Sequence, residues 1–420
     1  MKYIINLIVI AIIFASCGSG SGDSDGFPTQ GVVTNTTNSA TATFGSSDKS
    51  FLSYLFENEY LWYDKIDTNI DTTTFDKPMD MIESLRYRIY DRWSYAETFQ
   101  EYEDFANQKS TGSFGFYYDE DFKVLNIILD SPADKAGLLR GDIMTHINDT
   151  DISNEVLIKA KSNLDIVSKF RVIRDNRVLE LNIAPSIYTF KVTKYQILNM
   201  NSKKIGLLRY DQFTSSSITE IDKAFTYFKA NNIDELIIDL RYNGGGSLAT
   251  TSVLLDKIAG LSNDKSLQFY LNFNDKLISK DESYYFEKDS NSLDMKRVFF
   301  LTTSNSASAS EVTINSLKPY IDVKLIGSTT HGKPVGMSGR SYGNYIYWLI
   351  NFTILNAVDD GEFYDGISVD CEANDDFDYP RDNINEDMLE EALYYIEYNS
   401  CKSSSSYNRR AKYEIYINKI

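Results

Sequence analysis

The stretch Asp239-Leu240-Arg241-Tyr242-Asn243-Gly244-Gly245-Gly246 stands between an apolar run, Glu235 to Leu240, and a helical pattern over residues 247–260. A short apolar run closed by glycines reads as a buried strand, and three glycines in a row let the backbone turn sharply with its amides bare. The same unit recurs on both sides. Strands are expected at Lys204 to Arg209, Arg297 to Leu301, Val323 to Ile326 and Ile346 to Ile354, and helices over 219–231, 308–318 and 386–398. Strands alternating with helices predict an α/β layer architecture over about 188–400.

Upstream the pattern changes. From Gly112 to about Ala184 short β-like runs separated by turns, such as Val124 to Ile128, Ile143 to Ile147, Phe170 to Arg174 and Val178 to Ile183, predict a β-rich domain over 112–187. Earlier still, Phe51, Leu52, Tyr54, Leu55, Tyr60 and Leu61 recur at helical spacing, as do Met79, Met81, Ile82, Leu85 and Ile89. They predict a small helical region over 48–105 whose aromatic stripe is core. Residues 18–47, rich in Gly, Ser, Thr and Asn, read as a flexible tether. Residues 1–17 read as a targeting segment: Lys2, then an apolar run from Ile4 to Phe14 too short to span a bilayer. It closes on Phe14-Ala15-Ser16-Cys17, which resembles the lipobox of bacterial lipoproteins, with Cys17 the lipidated residue and the plain alternative an ordinary signal peptide. The expectation is an exported protein, lipid-anchored in the cell envelope, in the periplasm or at the outer membrane.

Composition narrows the function. The 420 residues are 42% hydrophobic, enough to fill sizeable cores, and carry a net charge of -18 with no dense Lys/Arg block. Nucleic acid is therefore excluded as a partner, because a phosphate footprint needs clustered positive charge. Three cysteines and two histidines show no zinc spacing, so no metal and no cofactor are expected. With Cys17 lipidated, Cys371 and Cys401 can pair as a disulfide in an oxidising compartment, or remain buried thiols.

Two turns could carry chemistry. Bare amides in Gly244-Gly245-Gly246 could hold either a phosphate or the oxyanion of acyl transfer, and the lysine of a Walker loop is missing because Ser247 follows directly. The second turn is Ser304-Asn305-Ser306-Ala307-Ser308-Ala309-Ser310-Glu311. Ser308 to Glu311 fits a helix capping box, yet a serine at a strand-to-helix junction is also where a nucleophile profits from helix amides. A nucleophile needs a base. His146 sits in a β-like run, His331 sits in the Thr330-His331-Gly332-Lys333 loop, and Lys333 becomes a base if burial keeps it neutral.

These segments resemble the C-terminal-processing (tail-specific) peptidases, serine proteases with a Ser–Lys dyad. Asp239 to Gly246 is similar to the family's D-L-R-x-N-x-G-G turn, Ser306 to Glu311 to its S-A-S-A-S-E segment, and Gly332-Lys333 to its G-K loop. The resemblance implies a crotonase-like catalytic core at 188–400, with Ser308 as nucleophile, Lys333 as base and Glu311 orienting it. The oxyanion hole would come from the Ala309 amide and the Gly245 amide. One position departs: the family often has glutamine four residues after the lysine, where this chain has Met337. Ser113-Phe114-Gly115-Phe116, Ser131 to Leu138 and Gly141-Asp142-Ile143 resemble a PDZ domain, preceding or inserted before the core, which implies capture of a peptide's C-terminal carboxylate near Phe114, Gly115 and Phe116. Asp91-Arg92-Trp93-Ser94-Tyr95 is similar to lipoprotein members of the family. The expected partners are protein or peptide substrates with exposed C-termini. A catalytically silent, peptide-binding lipoprotein is the alternative, and a hydrolase of non-peptide substrates a third reading. Residues 401–420 form a tail ending in Ile417-Asn418-Lys419-Ile420, itself shaped like a PDZ ligand, although fraying is the plainer expectation.

Overall fold

The computed structural model describes residues 43–110, 112–402 and 415–418. Cys17, the targeting segment and nearly all of the tether lie outside the described residues, as does most of the tail.

The α/β core is a sheet whose neighbouring strands are, in order, Cys371–Glu372, Asp322–Gly327, Arg297–Thr302, Glu235–Asp239, Lys203–Tyr210, Thr193–Met200 and Ile415–Asn418. The first five are parallel and the last two pairings antiparallel. Side chains alternate between its faces as the pleat demands. Leu236 and Ile238 join one apolar cluster with helices Ser217–Asn231, Leu248–Ala259 and Ala309–Leu317; Ile237 joins another with helix Asp387–Tyr398. Val298 and Phe300 against Phe299 and Leu301 divide in the same way. Both faces are covered, which is why these strands read as unbroken apolar runs. Helix Ser217–Asn231 stops where Asn232 turns left-handed (φ 51°), a conformation asparagine tolerates.

A second sheet was only partly legible. Strand Tyr345–Asn356 pairs with Val335–Tyr342, Leu267–Phe273 and Tyr95–Thr98, and Leu267–Phe273 with Glu282–Tyr285. The N-terminal region is thus not only helical: beyond helices Ser46–Asn58, Pro78–Leu85 and Phe99–Ala106 it gives a strand to this sheet. The expected helix through Ile89 ends at Leu85, since Arg86 is extended, and Ile89 lies 70% exposed. One cluster unites Phe51, Leu55, Phe56, Tyr60 and Ile82 with Val335, Met337, Tyr347 and Ile350.

The β-rich module holds a hairpin, Phe116–Tyr118 with Val124–Ile127, and a four-stranded sheet ordered Thr150–Asp151, Ile143–Ile147, Ser168–Arg174, Arg177–Ile183. Its core is Phe114, Val124, Leu138, Met144, Leu157, Phe170 and Val172. It meets the α/β layer where Arg209 donates to the Ile127 carbonyl (2.8 Å) and Arg140 pairs with Asp375 while lying over the Phe377 ring. Asp375 also binds Arg241, a fully buried guanidinium that forks onto Glu386 (2.8 and 2.9 Å). Cys371 and Cys401 form a disulfide that ties the end of helix Asp387–Tyr398 to the sheet edge. Within the tail, Ile415–Asn418 pairs with Ile197–Met200. No helix among the described residues is long and apolar enough to cross a membrane.

Candidate active site

Strand Arg297–Thr302 ends at Thr302, and helix Ala309–Leu317 begins seven residues later. Ser308 forms the corner with φ 53° and ψ -114°, a conformation costly for a side chain with a Cβ. The surroundings hold it there. The Ala307 amide donates to the Asn243 carbonyl (3.1 Å), Ser310 Oγ donates to the same carbonyl (2.9 Å), and Ser306 Oγ to that of Leu240 (2.8 Å). The Asp239–Gly246 turn is therefore the bed on which the serine corner rests. Gly245 (φ 107°) touches it directly: a Cβ there would stand 2.9 Å from Ser308 Cβ and 3.0 Å from the Ala309 nitrogen.

Glu311 does half of what a capping box does, and more. Its Oε2 accepts from the Ser308 amide (2.8 Å) and from the Lys333 amide (2.9 Å), and its Oε1 from Gly332 N and Thr330 Oγ1 (2.6 Å each). Burial pushes the pKa of this carboxyl up, and the four hydrogen bonds oppose that. Four donors fit the ionised form, which has only acceptors. Glu311 thus grips the main chain on either side of the site rather than the lysine amine.

Lys333 is completely buried, and its Nζ has no hydrogen-bond partner among the described residues. Burial pushes its pKa down from 10.5 to about 7, against the pull of Asp91 and Glu311. Nζ lies 5.5 Å from the centre of the Trp93 ring. The two histidines are occupied otherwise. His146 pairs with Asp151 in the β-rich module (3.0 Å). His331 accepts the Trp93 indole N–H at Nε2 (3.1 Å), and its Nδ1 lies 3.2 Å from the Ser304 carbonyl. That pattern assigns a neutral ring with the proton on Nδ1, and burial pushes its pKa down.

The structure therefore gathers Ser308, Ala309, Gly245, Glu311 and Lys333 at one place. Two details differ from the simplest expectation. Ser308 and Lys333 Nζ share no hydrogen bond in this conformation. The Gly245 amide donates to Asn243 Oδ1 (2.9 Å), so it is not free to receive an oxyanion until Asn243 releases it. Phe114 and Phe116 belong to the apolar cluster of the β-rich module, whereas Ala309, next to Ser308, belongs to that of the α/β layer. Gly115 (φ 89°) packs so closely on Ser131 that a Cβ would stand 2.1 Å from Ser131 Cβ. Sequence reasoning missed Asp91, Trp93 and Tyr60 as neighbours of the site. The one local signal for them was the Asp91-Arg92-Trp93-Ser94-Tyr95 segment.

A strained serine corner at a helix N-terminus, a glycine turn against it and a buried, unpartnered lysine define the class: an α/β protein with a strand-to-helix serine corner beside a buried amine. Comparison with known proteins narrows this. Residues 204–370 match the model of peptidase family S41, and residues 49–95 match the peptidase S41 N-terminal domain. The chain belongs to peptidase family S41. It is 25% identical over 267 residues to a CtpA-like serine protease of Staphylococcus saprophyticus, covering 57% of this chain and 51% of the relative. It is 26% identical over 241 residues to a carboxy-terminal-processing protease of Bartonella bacilliformis, covering 52% and 51%. The chain thus spans about half the length of these relatives. An S41 protease structure from Bacteroides fragilis superposes with a TM-score of 0.73 at 24% identity, over 83% of this chain and 97% of that one, and supports the fold.

Proposed function

We propose that the chain is a serine endopeptidase in which Ser308 is the nucleophile and Lys333 the base. The observation that carries this is the single Glu311 oxygen accepting from both the Ser308 and Lys333 amides, which holds nucleophile and base loops within one carboxylate's reach. A neutral Lys333 amine takes the Ser308 Oγ proton as Oγ attacks the scissile carbonyl, then returns it to the departing amine; water repeats the exchange to free the acid. The Ala309 amide, at the first helical position where no intrahelical acceptor is available, faces the developing oxyanion, and the Gly245 amide joins it once Asn243 lets go. Loose contacts before substrate binds are common at such sites. His331 is an unsuitable base, because both ring nitrogens are engaged.

In this reading residues 112–187 act as a PDZ domain on a crotonase-like core. Among the described residues strand Phe116–Tyr118 pairs only with Val124–Ile127, which leaves an edge for an extended apolar C-terminal tail, with the loop before it at the carboxylate. The chain is exported and held by lipid on Cys17, and the Cys371–Cys401 disulfide suits an oxidising compartment.

The test is degradation of an unfolded protein with an apolar C-terminus by the full-length protein in detergent. Ser308→Ala and Lys333→Ala should each abolish turnover. Turnover unchanged in both would overturn the assignment; peptide binding without turnover in the parent would favour a silent binding lipoprotein.

A further inference from the structure

The amine of Lys333 owes its dryness to a segment distant in sequence. Asp91 is buried and saturated: its Oδ1 accepts from the Trp93 and Ser94 amides (2.9 Å each), its Oδ2 from Tyr60 Oη (2.7 Å) and Ser94 Oγ (2.6 Å). Ser94 Oγ in turn accepts from the Ile350 amide (3.0 Å), so the turn Asp91–Ser94 is bolted to strand Tyr345–Asn356. At its crest Trp93 is locked by its indole bond to His331, two residues before Lys333. The Arg92 guanidinium lies over the Trp93 ring (4.8 Å) and donates to the His331 carbonyl (3.3 Å). The charged or titratable groups facing Lys333 are thus Asp91, Glu311 and His331, with Arg92 facing His331, and none hydrogen-bonds the Lys333 Nζ. Met337, four residues after Lys333, is buried in the apolar cluster shared with the N-terminal region.

We propose that Trp93 is a positioning residue for the peptidase site, a wall from the N-terminal region that shuts water away from Lys333. This rests on the Ser308–Lys333 reading. The ring face attracts a cation, and a desolvated contact of this kind is worth about one and a half pKa units. Exclusion of water acts the other way and is larger, as the low pKa of Lys333 reflects. Removing the ring admits water, restores the ammonium and leaves less free base at neutral pH.

The experiment measures Lys333 directly, by carbon-13 NMR titration of its Cε in full-length Ser308→Ala protein, alongside the pH profile of kcat/KM in the Ser308 protein. Trp93→Ala should raise the Lys333 titration by about 1.5 units or more and lower kcat/KM roughly tenfold or more near pH 7, with recovery toward pH 10. Trp93→Phe, which keeps a ring and loses the indole bond, should restore the low titration. Should Trp93→Ala fail to fold, Trp93→Leu should show the same displacement in smaller measure. A titration unmoved in the folded variant, or a loss equal at every pH, overturns the inference. If Lys333→Ala stays active, the dyad itself is wrong; if Lys333→Ala is dead while the Trp93 variants titrate like the parent, only the role of Trp93 falls.

Discussion

Replacing Lys333 by methionine should abolish turnover and stabilise the fold, by an amount that depends on pH. Burial moves the amine from its ordinary 10.5 to about 7. Each pKa unit is worth 1.36 kcal/mol, so well below pH 7 the lysine costs the fold up to ~5 kcal/mol relative to a side chain that never titrates. Between about pH 7 and 10.5 the unfolded chain holds a proton that the folded one does not, so the stability of the lysine protein rises with pH across that window. At about pH 6.5 the cost is ~4.6 kcal/mol and at about pH 9.5 ~1.4 kcal/mol, a difference of ~3 kcal/mol. Methionine fills much of the same space and leaves no unpaired Nζ. The assay is urea unfolding of full-length Ser308→Ala and Ser308→Ala/Lys333→Met at both pH values, the alanine preventing self-cleavage. A gain from methionine that is the same at both pH values, or a loss near pH 6.5, would refute the picture of a desolvated, unpartnered amine.

Gly245→Ala should cut kcat by ~10²-fold or more and cost about 1–3 kcal/mol in urea unfolding, because the new Cβ at φ 107° would press within 3.0 Å of the Ser308 Cβ and the Ala309 nitrogen. Glu311→Gln replaces one acceptor oxygen with an NH2 facing two donors, so stability should fall by about 2–4 kcal/mol and single-turnover acylation with it; a variant of normal stability and rate would show that the carboxylate is not the clamp. The double change Cys371→Ser/Cys401→Ser opens a loop of 30 residues and should cost about 3–4 kcal/mol, read as a lower melting temperature that reductant reproduces in the parent and does not deepen in the variant.

The α/β core was legible because its cues are local. Glu235 to Leu240 is apolar on both faces, the glycine turn follows at once, and the helices after it carry their own periodicity, so the expected helices at 219–231, 247–260, 308–318 and 386–398 lie within about two residues of those observed. Ser308 was legible in the same way, from a serine at a strand-to-helix junction three residues before a glutamate. The second sheet was not, because Tyr95–Thr98 and Val335–Tyr342 are short, mixed in polarity and become strands only by pairing with Tyr345–Asn356.

The sequence by itself determined the α/β layer architecture, the serine corner and the turn after Asp239, since each rests on residues within a few positions of one another. Only the tertiary structure decided what Lys333 is. A lysine in a glycine loop is ordinarily a solvated charge; this one is dry because Trp93, 240 residues earlier, is brought beside it by Asp91, Ser94 and the strand they are bolted to. Desolvation depends on everything packed around a group, and no local pattern in a chain records that.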